Sequence, residues 1–192
     1  MPIKVLVVDD SALIRKVLSE IIQSDSSLLL VGAAPDAYVA KRMVQEFRPD
    51  VITLDIEMPK VDGLRFLEVM MKAVPTPVVM ISTLTESGAN ATLRALELGA
   101  VDFMAKPKLG VAQGMNDYAH TIIQKVKAAA KSKLSHPTET RCSKHAAMRY
   151  TGTEKLIGIG ASTGGTEAIK DVIMHFPKNA PATVISQHMP PG

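Results

Sequence analysis

Five short apolar runs mark the first 130 residues of the chain, and amphipathic segments separate them. The runs are IKVLVV (3–8), LLLVGAA (28–34), VITL (51–54), VVMI (78–81) and VDFMA (101–105). Stretches that are rich in Val and Ile and apolar on both faces are typical of parallel strands buried between two helical layers. We therefore expect each run to form one strand of a parallel sheet.

The segments between these runs have helical spacing. SALIRKVLSEIIQ (11–23) and ATLRALELGA (91–100) place apolar residues three and four positions apart, and Gly99 is a candidate helix C-cap. Alternating strands and helices predict a doubly wound α/β fold for residues 1–130. In such a fold, functional groups gather at the carboxyl ends of the strands.

Polar residues stand at those carboxyl ends. Asp9 and Asp10 follow the first run, Asp55 the third, Ser82 the fourth and Lys106 the fifth. Crowded carboxylates repel one another unless a cation lies among them. A hard divalent cation with oxygen ligands, most simply Mg²⁺, would neutralise the cluster. Lys106 and the Ser82 hydroxyl would suit a transferred phosphoryl group.

Four blocks of the sequence resemble the signature blocks of the two-component receiver domain. They are VLVVDD, VITLDIEMPKVDGL, VVMIST and VDFMAKP, in the order and at the spacing of that family. The resemblance implies a flavodoxin-like sheet of five strands in the order 2-1-3-4-5. It also implies that a partner histidine kinase donates a phosphoryl group to Asp55.

The same resemblance implies a role for individual residues. Asp9, Asp10 and Asp55 would hold Mg²⁺, and Glu57 would contribute only its backbone carbonyl. The switch residues would be Ser82, Lys106 and Phe103. A phosphorylated carboxylate carries a charge of roughly −1.5 to −2. It would draw Ser82 and Lys106 inward, and Phe103 would then turn into the vacated space.

The positive charge of the chain is confined to one segment. The net charge of +3 is the sum of −1 in residues 1–130, +4 in residues 131–155 and 0 in residues 156–192. Residues 131–155 are polar and lack helical or strand periodicity, which is typical of a flexible linker. We expect a solvated basic linker rather than a nucleic-acid surface. Cys142, the single cysteine, has no second thiol to pair with.

A second pattern of strand, helix and strand follows the linker, and its Gly-rich turn fits two templates. The segments are KLIGIG, GTEAIKDVIMHF and ATVISQHM. One template is a dinucleotide fingerprint, formed by Gly158, Gly160 and Gly164. The other is the nucleophile elbow G-x-S-x-G, which is centred on Ser162.

The end of the second strand favours the elbow. A dinucleotide site has Asp or Glu there to bind the ribose, but this chain has Gln187 and His188. Adjacent strands lie roughly 4.8 Å apart, so in a parallel pair His188 would come within reach of Ser162 as its general base. The Thr163 amide would face the developing oxyanion. A Gly-rich turn with a structural histidine is the alternative.

IGIGASTGGTEAI and SQHMPPG are similar to the start of the catalytic domain of chemotaxis protein-glutamate methylesterases. The order of receiver, linker and catalytic domain is also that of this family. The resemblance implies that Ser162, with His188 as base, hydrolyses glutamyl methyl esters on chemoreceptors and deamidates certain receptor glutamines. It further implies an intramolecular contact in which the receiver covers the active site until Asp55 is phosphorylated.

The carboxylate of a catalytic triad has no match in this sequence. A Ser/His pair needs one to orient the imidazole, but Asp171 lies nine residues along the helix from Ser162, roughly 13 Å away. We therefore expect residues 156–192 to be the first β-α-β unit of a second α/β domain. We also expect this chain by itself to lack the complete triad.

Two other functions stay open. A receiver could act only through protein partners, without catalysis. A DNA-binding regulator would need a helix-turn-helix after the linker, where Gly-rich strand and turn signals stand instead. A cytoplasmic location without membrane insertion is expected. The sequence has no apolar stretch near the roughly 20 residues of a membrane span, and its N-terminus is unlike a signal peptide.

Overall fold

The computed structural model shows two compact units, which are described separately. The first unit holds the described residues up to 132, and the second holds those from 156 onward. The residues that the structure describes are 1–59, 61–83, 86–107, 112–132, 156–162, 165–177 and 180–187.

The first unit is a five-stranded parallel sheet with helices on both faces. Its strands are β1 (Ile3–Val8), β2 (Leu28–Ala34), β3 (Val51–Asp55), β4 (Val78–Ser82) and β5 (Asp102–Ala105). Its helices are α1 (Ala12–Gln23), α2 (Ala37–Phe47), α3 (Gly63–Ala73), α4 (Glu86–Glu97) and α5 (Ala112–Lys131). The strand order is β2-β1-β3-β4-β5, and every pairing is parallel. The predicted fold class and strand order are confirmed.

Alternate residues of the strands supply two separate cores. On β1, Val5 and Val7 pack with α1 and α5. Leu6 and Val8 pack with α2, α3 and α4 on the opposite face. A fully buried aliphatic side chain stabilises the folded state by about 1.5–3 kcal/mol relative to an exposed one. Both faces of the central strands are buried, and each face gains this stabilisation from apolar residues. For this reason the strand sequences are continuous apolar runs.

Capping residues fix where the helices begin and end. The Ser11 side chain accepts a hydrogen bond from the Ile14 amide at the start of α1, and Asp62 caps α3 through the Arg65 amide. Beyond the last turn of α4, Gly99 has φ of 100°, a left-handed conformation that glycine adopts without strain. The predicted stop at Gly99 is confirmed.

The strand order reverses between β1 and β3. From β1 the chain moves outward to β2, whereas from β3 it continues through β4 to β5 on the other side. Loops leaving adjacent strands in opposite directions open a crevice at their carboxyl ends. This crevice is where Asp9 and Asp55 emerge.

The second unit consists of β6 (Leu156–Ala161), α6 (Gly165–Met174) and β7 (Ala182–Gln187). The two strands pair in parallel, with Ala161 opposite Gln187, so the expected β-α-β arrangement is confirmed. Several of its apolar side chains are exposed, namely Leu156, Val172, Met174 and Val184. In the described parts of both units, no helix combines the length and the apolar character needed to cross a membrane.

Two leucines on α1 provide a test of the core beneath this helix. The Leu18 residue is 1% exposed and Leu13 is 54% exposed. We expect Leu18→Ala to lower the free energy of unfolding by about 2–5 kcal/mol because it leaves a cavity. Leu13→Ala should change it by less than about 0.5 kcal/mol. Urea unfolding followed by circular dichroism measures both, and equal losses would contradict this packing.

Candidate functional site

The carboxyl ends of four strands bring the predicted polar residues to one edge of the sheet. Asp9 follows β1, Asp55 ends β3, Ser82 ends β4 and Lys106 follows β5. The Lys106 amide donates to the Ser82 carbonyl at 2.8 Å, which continues the β4–β5 pairing to the rim of the site. Regular strand pairing thus delivers these side chains to the crevice.

Three carboxylates converge in this crevice. One oxygen from each of Asp9, Asp10 and Asp55 lies within 4.8 Å of the others. Asp9 and Asp55 are buried, whereas Asp10 is exposed at the mouth. Three like charges this close repel strongly in a partly desolvated site, so the cluster requires a compensating charge.

Lys106 supplies part of that compensation. Its Nζ lies 2.8 Å from Asp55 Oδ2 and 3.2 Å from Asp9 Oδ2, and the lysine side chain is 15% exposed. Asp9 Oδ2 is buried and accepts no well-aligned hydrogen bond from any described residue. Its attraction to Lys106 is therefore a charge–charge contact. One ammonium cannot neutralise three carboxylates.

The protonation equilibria reflect this imbalance. Burial raises the pKa of Asp55 to about 6, and the Asp9 charge adds to the rise while Lys106 opposes it. Burial likewise raises the pKa of Asp9 above its ordinary value. Burial would lower the pKa of Lys106, but its bond to Asp55 and the nearby acidic charges outweigh that effect and raise it.

The donor set fits a hard divalent cation. The crevice offers carboxylate oxygens from three residues, and the buried Asp9 Oδ2 has an unused acceptor capacity. Magnesium binds such oxygens and keeps several waters, which the exposed Asp10 side of the crevice allows. The residues present therefore match the predicted Mg²⁺ site in type and placement.

The loop after β3 is held to the loop after β4. Thr83 Oγ1 donates to Glu57 Oε2 at 3.2 Å, and the Glu57 amide donates to Asp55 Oδ1 at 3.3 Å. The Glu57 side chain is thus engaged by Thr83, while coordination by its backbone carbonyl stays a prediction. This connection between the two loops was not foreseen from the sequence.

The first residue of α3 packs directly on the backbone of Asp55. A Cβ at Gly63 would overlap the Asp55 carbonyl oxygen. The Gly63 amide donates to the Ile56 carbonyl at 2.8 Å. Only glycine permits so close an approach, and it fixes the backbone that carries the Asp55 side chain.

The other two predicted switch residues are both buried. Ser82 is 2% exposed and Phe103 is 5% exposed, and Phe103 packs in the core beneath α2, α3 and α4. The predicted switch has Phe103 turning into the space vacated by the loop after β4 when Asp55 is phosphorylated. The Phe103 side chain is already buried in this structure, and its movement on phosphorylation stays a prediction.

Two residues near the cluster were missed by the sequence analysis. Arg15 on α1 donates through Nη1 to the carbonyl oxygens of Asp9 and Asp10. The Tyr118 hydroxyl on α5 is buried without a hydrogen bond to any described residue, and burial together with the Asp9 charge raises its pKa. A cation near a helix N-terminus is unfavourable with the helix dipole, and this signal could have singled out Arg15.

In the second unit, Ser162 stands exposed directly after β6. Its carbonyl accepts hydrogen bonds from Gln187 Nε2 at 2.9 Å and from the Gly165 amide at 2.8 Å. A Cβ at Gly165 would overlap the Gln187 side chain. The turn is therefore buttressed by the neighbouring strand. Thr163 and His188 lie outside the described residues.

Comparison with known families agrees with this geometry. The family model for the response regulator receiver domain matches residues 5–112. The chain belongs to the response regulator receiver family. The family model for the CheB methylesterase matches residues 157–192, a range that includes the Gly-rich turn.

Individual relatives give the same assignment. A protein-glutamate methylesterase/protein-glutamine glutaminase of Pseudomonas aeruginosa is 58% identical over 193 residues, covering 100% of this chain and 55% of the relative. A protein of the same name from Shewanella oneidensis is 60% identical over 198 residues, covering 100% of this chain and 56% of the relative. The chain thus spans little more than half the length of these relatives. The predicted resemblance to the methylesterase family is confirmed.

Solved structures match the first unit. The response regulator domain of Thermotoga maritima CheB is 44% identical with a TM-score of 0.63, and the match covers 69% of this chain and 99% of that one. The CheX-CheY-BeF3-Mg²⁺ complex from Borrelia burgdorferi is 30% identical with a TM-score of 0.52, covering 65% of this chain and 90% of that one.

The raised pKa of Asp55 predicts that its ionised carboxylate lowers the free energy of unfolding by an amount that depends on pH. Since its folded pKa of about 6 exceeds the ordinary 3.9, the charged form is penalised above about pH 6. That penalty fades as the pH falls towards 4. Without divalent cations, Asp55→Asn should raise the free energy of unfolding by roughly 1–3 kcal/mol at pH 8.

The increase in the free energy of unfolding caused by Asp55→Asn should shrink to near zero by pH 4. Urea unfolding in EDTA across this range measures it, and the exposed Asp117→Asn is the matched control, expected to change stability by less than about 0.5 kcal/mol. A variant at position 55 that is less stable than the parent at pH 8 would contradict the prediction.

Proposed function

We propose that this chain is the regulatory part of a chemotaxis response regulator, in which phosphorylation of Asp55 controls a serine methylesterase. The observation that carries the proposal is the setting of Asp55. Its carboxylate is buried at the point where the strand order reverses, with Lys106 Nζ 2.8 Å away and two further carboxylates within 4.8 Å. That arrangement suits phosphoryl transfer to a carboxylate.

A chemotaxis histidine kinase is the proposed phosphodonor. An Asp55 carboxylate oxygen forms a bond to phosphorus, the phosphorus–nitrogen bond of the donor phosphohistidine breaks, and the imidazole leaves with its electron pair. Such a transfer depends chiefly on positioning and on stabilising the charge of the phosphoryl oxygens. Lys106 already contacts Asp55 and would meet one of those oxygens. Ser82, at the end of the adjacent strand, would donate to another.

Mg²⁺ bound by Asp9, Asp10, Asp55 and the Glu57 carbonyl would neutralise the cluster and shield the incoming phosphoryl oxygens. The fit of the donor set described above supports this role. A further support is the magnesium named in the complex of the receiver relative from Borrelia burgdorferi.

The proposed switch follows from the change in charge. A phosphoryl group makes the site more negative and adds acceptor oxygens, so Lys106 and the Ser82 hydroxyl would reorient towards it. The Thr83–Glu57 hydrogen bond joins the two loops beside Asp55. A shift of Ser82, which directly precedes Thr83, would therefore be transmitted to the loop after β3 that carries Glu57. Phe103 packs in the core under α4 and would repack with that movement.

Phosphorylation at Asp55 can be tested directly. Incubation of the chain with acetyl phosphate and Mg²⁺ should add one phosphoryl group, detected by intact-protein mass spectrometry. Asp55→Ala should abolish the modification because it removes the acceptor oxygen, and EDTA should also suppress it. The exposed Asp117→Ala should be modified like the parent. Undiminished modification of Asp55→Ala would exclude Asp55 as the acceptor.

The second unit is proposed to supply the nucleophile of the esterase. Ser162 is exposed at the turn after β6, and Gln187 supports the turn from β7. We propose that Ser162 attacks the carbonyl carbon of glutamyl methyl esters on chemoreceptors. Methanol leaves, and water then hydrolyses the acyl-serine. His188 would act as the base and the Thr163 amide would stabilise the oxyanion.

Further aspects of the activity rest on the relatives. Both curated relatives are named for glutaminase as well as methylesterase activity, so deamidation of receptor glutamines is proposed alongside ester hydrolysis. A cytoplasmic location would give access to the kinase and to the receptor signalling helices. An intramolecular contact in which the unphosphorylated receiver restrains the esterase would link Asp55 to Ser162.

The catalytic assignment can be tested in a polypeptide extended to the full length of the relatives. Methanol release from methylated receptors should be lost in Ser162→Ala, by a factor of about 10³ or more, because no other group there replaces the nucleophile. Ser186→Ala, at an exposed serine of β7, is the matched control and should keep its activity. Acetyl phosphate should stimulate the parent but not Asp55→Ala. Full activity of Ser162→Ala would exclude Ser162 as the nucleophile.

A further inference from the structure

Arg15 binds the backbone of the two residues that carry the acidic side chains. Its Nη1 lies 2.7 Å from the Asp9 carbonyl oxygen and 2.8 Å from the Asp10 carbonyl oxygen. This nitrogen carries two hydrogens, so it can donate one to each carbonyl. The two bonds fix the orientation of consecutive peptide groups between β1 and α1.

The helix itself gives no reason for an arginine at this position. Arg15 is the fourth residue of α1, and no acidic side chain stands in the first turn. A cation there is on the unfavourable end of the helix dipole. The charge-assisted bonds to the two carbonyls offset that cost, which points to a role in the turn rather than in the helix.

The remaining hydrogen bonds of the turn orient the Asp9 side chain. The Asp9 amide donates to the Ala34 carbonyl at 3.1 Å, and Asp9 Oδ1 accepts from the Ser11 amide at 2.8 Å. Asp9 Oδ2 is thereby left facing Lys106. The turn is held at its amide, its carbonyls and one carboxylate oxygen.

Arg15 also brings a positive charge close to the cluster without binding the carboxylate oxygens of Asp9 and Asp10. Among the described residues, its Nη1 donates to the carbonyl oxygens of Asp9 and Asp10 and not to their carboxylates. An arginine paired with those carboxylates would compete with a bound cation. Bonding to the backbone instead steadies the ligands and leaves their oxygens available.

We infer that Arg15 is a positioning residue of the cation site: it preorganises the carboxylates of Asp9 and Asp10 for Mg²⁺ by fixing the backbone that carries them. The inference rests on the proposed function, which places Mg²⁺ at these residues. Residues that orient metal ligands typically change metal affinity by about 10- to 100-fold when they are substituted. Loss of the guanidinium should therefore weaken Mg²⁺ binding even where the fold is intact.

Three substitutions separate this role from a merely structural one. Arg15→Met keeps the aliphatic stem and removes the donors, while Arg15→Lys keeps the charge but loses the planar guanidinium. Arg94→Met is the matched control, since Arg94 forms an exposed ion pair with Glu97 on α4. Thermal unfolding in EDTA identifies the variants that remain folded.

Binding is measured by titrating Mg²⁺ alone into the ¹⁵N-labelled full chain and following its backbone amide shifts. We expect the Mg²⁺ dissociation constant to rise about 10-fold in Arg15→Met, to lie between parent and Met variant in Arg15→Lys, and to be unchanged in Arg94→Met. The rate of phosphorylation by acetyl phosphate should fall at low Mg²⁺ and recover at saturating Mg²⁺. That recovery distinguishes weaker cation binding from damage to Asp55.

A folded Arg15→Met that binds Mg²⁺ like the parent would overturn the inference. If Arg15→Met does not fold, Arg15→Lys decides: weaker binding supports the role and parental binding overturns it. Asp10→Asn separates this result from failure of the site itself. Loss of binding in Asp10→Asn with parental binding in Arg15→Met refutes only the role of Arg15. A parent that shows no Mg²⁺ binding refutes the proposed cation site and the inference with it.

Discussion

The repulsion among Asp9, Asp10 and Asp55 is the constraint around which the first unit is organised. The sheet brings one oxygen from each within 4.8 Å, although burial raises the pKa of Asp9 and Asp55. Lys106 offsets part of this cost by contacting the two buried acids. Such an arrangement is costly for folding, and it leaves an excess of negative charge that favours the binding of a cation.

Much of the receiver could be predicted because its determinants are local or periodic. The apolar runs predicted the bounds of the strands to within a residue or two. The alternation of strands and helices implied a parallel sheet, in which the carboxyl ends of the strands lie at one edge. Lys106 could be grouped with Asp55 on that basis, although 51 positions separate them. The signal was strong because strand pairing, rather than the detailed conformation of the loops, determines where these side chains emerge.

Contacts that depend on loop conformation could not be predicted from the sequence pattern. The bond from Thr83 to Glu57 and the reach of Arg15 to two carbonyls require knowledge of how each turn bends. Neither spacing nor composition encodes that. The conformation of the Phe103 ring was not predicted for another reason: the pattern indicates a side chain's position on a strand but not its rotamer. For Thr163 and His188, the assignments still rest on the motif and on the family.

In the second unit, the Gln187 side chain fills the space that a side chain at position 165 would need. The side-chain amide of Gln187 donates to the Ser162 carbonyl. The Gln187 side chain has room there because residue 165 is a glycine and has no side chain. A larger residue at 165 must displace the glutamine, and a shorter residue at 187 would leave a void beside the turn. The two positions are therefore expected to covary across homologous sequences, although 22 places separate them along the chain.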